Sequence, residues 1–208
     1  MNNMNVMSSS QRYKITFILI AVNVAVYVYT SLVGGDFLIT NYTDTTIQLA
    51  QYNAAVFAGS YYQLFSSMFV HASVIHLAGN MVFLLIFGLR GEEMFTLPEY
   101  LGVYLLGGMA GNVLSLALGP NLLSVGDSGA IFAMFGACAA YARRSIGQSI
   151  VGALIFGFFL LIISSGENVN YLAHIGGLLA GLGIGYVLAK RRKPQTGYQA
   201  RYPSPIPF

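Results

Sequence analysis

Long apolar runs separated by short polar breaks set the pattern of this chain. They fall at about 14–32, 72–89, 97–118, 128–142, 149–164 and 171–189. Runs of this kind read as membrane-crossing helices, six in all, several shorter than the roughly 20 residues a full crossing takes. The first run follows Arg12 and Lys14 and shows no small-x-small cleavage site before Gly34-Gly35. It therefore reads as a retained span and not as a signal peptide. Between the first two runs, Gly35 to His71 carries no lysine or arginine, which marks a large extracytoplasmic loop. Its polar stretch Asn41–Thr46 is followed by amphipathic stretches, Leu49 to Phe57 and Tyr61 to Phe69, that predict short helices lying in the membrane interface. The sequon Asn41-Tyr42-Thr43 is a pattern that chance produces often and carries no weight.

Composition agrees with this pattern. The 208-residue chain is 56% hydrophobic and 8% charged, far from soluble averages, as an integral membrane protein should be. The single cysteine, Cys138, lies in an apolar run, so neither an intrachain disulfide nor a CxxC metal site can form. A net charge of +3 raises the question of a nucleic-acid partner. The basic residues answer it, because they form short clusters beside apolar runs and not a basic face. Arg12, Lys14, Arg90, Arg143, Arg144, Lys190, Arg191, Arg192, Lys193 and Arg201 account for all ten. With six spans and both termini inside, every one is cytoplasmic, while the opposite loops hold only Asp36, Asp44, Asp127 and Glu167. The expected organisation is a disordered tail over 1–11, a six-span domain over 12–190 and a basic, proline-containing cytoplasmic tail over 191–208. The fold class is an all-α, six-helix transmembrane bundle in multi-pass form, with the cell membrane as the expected location.

The chemistry resides in the few polar groups inside the apolar runs. The three histidines, His71, His76 and His174, all lie in or at the mouth of such runs, where ionisable groups are costly and usually functional. Counting from the cytoplasmic basic residue of each helix, Ser128 is 15 residues from Arg143, His76 is 14 from Arg90 and His174 is 16 from Lys190. At about 1.5 Å per residue these counts give heights of roughly 21 to 24 Å in a core of about 30 Å. Three helices thus carry a polar group at nearly one level. Asn80 shares a helical face with His76, four residues before it. Gly177, Gly181 and Gly185 recur every fourth residue below His174, a stripe that admits a neighbouring helix, and the fourth span offers Gly129 and Gly136 for that contact.

A serine hydroxyl is a weak nucleophile until a base takes its proton, and neutral imidazole is the usual base near neutral pH. His174 fills that role for Ser128. The resulting oxyanion needs donors already in place, which His76, the Asn80 amide and the Ser128 backbone N–H can supply. Gly126 and Gly129 flank Asp127-Ser128 and permit close backbone approach. No intramembrane carboxylate accompanies the histidines in a metal-site pattern, so neither metal nor cofactor is expected. A serine at a helix start is by itself more often a cap, and a lone His174 is equally a carbonyl partner across a helix interface. Together with His76 and Asn80 at matching depth, they favour catalysis. Asn112, in a glycine-rich third span, reads as interhelical glue.

The pattern His71-x4-His76-x3-Asn80, Gly126-x-Ser128-Gly129 and Ala173-His174-x2-Gly177-x3-Gly181, on the second, fourth and sixth spans, resembles the rhomboid intramembrane serine proteases. The resemblance covers roughly residues 13 to 190. It implies Ser128 as nucleophile and His174 as base of a dyad without a triad acid, His76 and Asn80 in the oxyanion hole, and His71 as structural. It also places Phe132 where the family often packs a tyrosine on the base, and matches Glu92 to a family glutamate near the cytoplasmic end of the second span. Where the family often carries Trp-Arg in the first loop, this chain has Tyr62-Gln63, a departure that touches the loop's anchoring and not the dyad. Asp127 adjoins Ser128, but adjacent side chains diverge, which argues against a triad. Nor does Gly126-x-Ser128-x-Ala130 match the G-x-S-x-G elbow of soluble hydrolases. By resemblance, Phe156, Phe158 and Phe159 lie near a lateral gate and Ser164 to Asn170 form a mobile cap.

The expected function is cleavage of transmembrane or membrane-anchored proteins near their extracytoplasmic boundary, with the bilayer as environment and no nucleic-acid partner. The alternative is a silent relative that binds and escorts transmembrane segments, although such proteins generally lack the serine or the histidine. A small transporter or channel is disfavoured because the polar groups stop in the outer half.

Overall fold

The computed structural model describes residues 14–34, 44–146, 152 and 169–192. Within them five long helices pack together: α1 (Lys14–Gly34), α5 (Val74–Met94), α6 (Leu97–Ser115), α7 (Ser128–Ile146) and α8 (Tyr171–Arg191). Short helices α2 (Asp44–Leu49), α3 (Asn53–Phe57) and α4 (Gln63–Ser66) lie between α1 and α5. Four of the long helices, all but α7, are long and apolar enough to cross a membrane. The chain is thus an all-α, multi-pass membrane protein. The run at 149–164, with its phenylalanines, the cap before Val169, and the tails 1–11 and 193–208 fall outside the described residues, apart from Gly152.

Helix ends follow local chemistry. Ser73 caps α5, its hydroxyl accepting from the His76 N–H at 3.1 Å. Thr96 and Glu99 form a capping box at the start of α6, where Pro98 needs no N–H partner. Asn170 caps α8 by accepting from the Ala173 N–H at 3.0 Å. Glu92, matched by resemblance to a family glutamate near the cytoplasmic end of the second span, is buried, and its carboxylate accepts from the Thr16 N–H at 2.7 Å. It thereby satisfies an amide in the first turn of α1, where a negative charge also complements the helix dipole. At the same end, Arg192 donates to Glu99 and to the Tyr141 hydroxyl, linking α8 to α6 and α7.

Helix α7 is the centre of the bundle. Residues Ala130 to Phe135 are all buried, along with Ala137 and Cys138. A helix so enclosed need not be strongly apolar, which explains why this glycine- and alanine-rich segment is the weakest of the apolar runs. Its approach to α8 is nearly backbone to backbone. A Cβ at Gly177, Gly181 or Gly185 would collide with the carbonyl oxygens of Gly129, Ala133 and Ala137 respectively. Gly136, the other expected contact, likewise meets α8, at the backbone of Leu178 and Leu182.

The loop between α1 and α5 is tied to α6 by amides. Gln51 Nε2 lies within hydrogen-bond reach of the Asn112 carbonyl at 3.0 Å and Ser115 Oγ at 2.9 Å. Asn53 Nδ2 donates to the carbonyls of Ser115 and Gly119 at 3.1 and 2.8 Å. Asn112 donates to the Leu64 carbonyl at 2.8 Å and Ser67 Oγ at 3.0 Å, so it joins α6 to this loop and not to another long helix. Tyr62 and Gln63 anchor it as well: both donate to the Gln48 carbonyl at 3.1 Å, and Gln63 Oε1 accepts from the Tyr52 N–H at 3.0 Å. Gln51 and Tyr52 also pair antiparallel with Ser124 and Leu123, just before the loop that leads into α7.

Candidate active site

Ser128 is the first residue of α7, and the turn delivering it depends on Gly126. That residue has φ +112°, a left-handed conformation that side chains disfavour, and its N–H donates to the Ser67 carbonyl at 2.9 Å. A Cβ there would sit 2.9 Å from His76 Nε2 and 3.2 Å from Asn80 Nδ2. Only glycine lets the loop lie directly against both side chains. The same turn that presents Ser128 therefore closes on the two residues read as oxyanion donors.

Ser128 Oγ lies 2.8 Å from His174 Nε2, across the tight α7–α8 contact. The His174 ring stacks on Phe132, centroids 4.7 Å apart and planes inclined by 23°. Its Nδ1 is buried without a hydrogen-bond partner among the described residues, so no described carboxylate backs this imidazole. Chemically, the pair is a hydroxyl within proton-transfer distance of a base.

On the opposite side stand His71, His76 and Asn80. His71 is fully buried and meets His76 edge to face at 5.2 Å. The Asn80 amide lies 3.0 Å from His71 Nε2. The carboxylate of Asp127 turns toward this group: Oδ1 is 3.3 Å from His71 Nε2, while Oδ2 accepts from the Tyr104 hydroxyl at 2.9 Å and lies 3.5 Å from Asn23 Nδ2. Asn23, Tyr104, His71 and Asp127 are each fully buried. Sequence reasoning did not find this cluster. The signal available was an aspartate at the mouth of an enclosed helix, together with polar residues in the first and third spans.

No group of three or more metal-ligating side chains occurs among the described residues, and Cys138 is a free, buried thiol.

A sequence model of the rhomboid domain matches residues 58–191. The chain is similar to RHOMBOID-like protein 6, mitochondrial, of Arabidopsis thaliana, at 34% identity over 66% of this chain and 46% of that protein. It is also similar to Rhomboid-like protease 3 of Toxoplasma gondii, at 33% identity over 59% of this chain and 50% of that protein. With Rhomboid protease GluP of Bacillus subtilis it shares 30% identity over 80% of this chain and 33% of that protein. The matched region spans half or less of each of these three relatives.

Proposed function

Since the chain belongs to the rhomboid family, we propose that it is an intramembrane serine endopeptidase, cleaving transmembrane or membrane-anchored proteins near their extracytoplasmic boundary with Ser128 and His174. The observation that carries this reading is the 2.8 Å approach of Ser128 Oγ to His174 Nε2. In this mechanism the imidazole carries its proton on Nδ1 and takes the hydroxyl proton on Nε2 as Ser128 attacks the scissile carbonyl. The oxyanion is met by the Ser128 N–H, His76 and the Asn80 amide. His174 then returns its proton to the departing amine, leaving an acyl-enzyme that water hydrolyses by the same route in reverse roles. Phe132 limits the ring's motion between those two transfers. The six-span topology with cytoplasmic termini belongs to this proposal. So do the 12–190 domain limits and a location in the cell membrane.

Cleavage of a transmembrane reporter by the purified, reconstituted protein tests it. Wild type should cut, and Ser128→Ala and His174→Ala should each be reduced to background. Retained cleavage by both folded variants would remove the mechanism.

A further inference from the structure

Asp127 has no part in the chemistry above, yet it is a fully buried carboxylate directly preceding the nucleophile. Oδ2 accepts from the Tyr104 hydroxyl and has the Asn23 amide nitrogen close by, at 2.9 and 3.5 Å. Oδ1 faces His71 Nε2 at 3.3 Å. A carboxylate oxygen at that position requires the ring proton to be on Nε2.

The same nitrogen is 3.0 Å from Asn80 Nδ2. One N–H can be shared between two acceptors, but it cannot face a second N–H donor. The two ends of an amide have nearly the same shape, and a half-turn about its last torsion exchanges them. With Nε2 protonated, Asn80 must offer its oxygen to His71, leaving its NH2 group unclaimed by that ring.

We propose that Asp127 is a positioning residue for the oxyanion hole: its carboxylate holds the His71 proton on Nε2, and His71 in turn keeps the NH2 end of Asn80 free to donate. The proposal rests on the proteolytic reading. Without the charge at position 127, His71 can move its proton to Nδ1 and draw the Asn80 NH2 onto Nε2. The donor is then lost to the oxyanion although every side chain remains in place.

A double-mutant cycle on the reconstituted full chain tests this. Asp127→Asn should lower kcat about tenfold with KM unchanged, less than the 10²–10³ of deleting a donor outright. In an Asn80→Ala background the same substitution should change kcat less than about twofold, because the group it acts through is gone. His71→Gln, which keeps an N–H near the Nε2 position, should retain most of kcat, and His71→Leu should fall with Asp127→Asn. An equal fold-loss from Asp127→Asn in both backgrounds would overturn the proposal, as would equal activity of the two His71 variants. Should Asp127→Asn fail to fold, nitrogen NMR of the wild type decides: with only three histidines, His71 can be assigned by its absence from His71→Gln. A protonated Nε2 supports the proposal, and an unprotonated one overturns it. Wild type that does not cleave the reporter would overturn the proteolytic reading instead, and the tautomer measurement still stands apart from it.

Discussion

The two sides of the site are held by different physics. On the dyad side, α7 and α8 meet at Gly177, Gly181 and Gly185 with no room for a Cβ, and His174 has ring stacking but no partner for Nδ1 among the described residues. On the oxyanion side, His71, Asn80, Asp127, Tyr104 and Asn23 are joined by hydrogen bonds across α1, α5, α6 and the start of α7. In a membrane, apolar surface gives helices little reason to associate, so precise placement comes either from backbone-close packing or from polar bonds. Packing is all or none; a polar network can be weakened one bond at a time. The proposed dyad needs one short distance between two helices, which packing secures. The proposed oxyanion hole needs donors pointed in given directions, and only hydrogen bonds specify direction.

That contrast predicts unequal responses. Gly181→Val should be the most severe change, since its side chain meets the Ala133 carbonyl and neither backbone can yield. We expect destabilisation at or beyond the roughly 3 kcal/mol upper range of overpacking, with activity lost alongside folding, measured by unfolding in detergent. His76→Ala and Asn80→Ala should leave the unfolding transition near wild type while kcat falls about 10²–10³-fold. Equal loss of stability in all three variants would erase the distinction between the two sides. Phe132→Ala removes a stacking contact of about 0.5–1.5 kcal/mol, so kcat should fall roughly threefold to tenfold, with reporter KM nearly constant. The smallest effect belongs to the loop: Gln63→Ala deletes the bonds to Tyr52 and Gln48. Each is worth about 1 kcal/mol, and limited proteolysis of the segment between α1 and α5 should accelerate before cleavage of the reporter changes.

The dyad side was legible in the sequence because its information is periodic. Counting residues from Arg143 and Lys190 put Ser128 and His174 at one height, and glycines at every fourth position indicated which face of α8 closes on α7. Helix limits were close as well, with α8 running over Tyr171–Arg191 against an expected 171–189. The oxyanion side was legible only in part. His76 and Asn80 share a helix face, which spacing reveals, but the link from Asp127 to His71, Tyr104 and Asn23 joins residues 56, 23 and 104 positions apart. No local pattern encodes such a meeting, since it depends on the rotation of each helix about its own axis. The role of Glu92 was hidden for the same reason: its partner, the Thr16 amide, is on another helix.

Activation of Ser128 by His174 can be measured without a substrate. Membranes containing wild type, Ser128→Ala and His174→Ala are treated with a fluorescent fluorophosphonate, which labels activated serines. Wild type should be labelled and neither variant should be. A folded wild type that stays unlabelled while accessible to other reagents would contradict it, and equal labelling of His174→Ala would show that the imidazole is not the base.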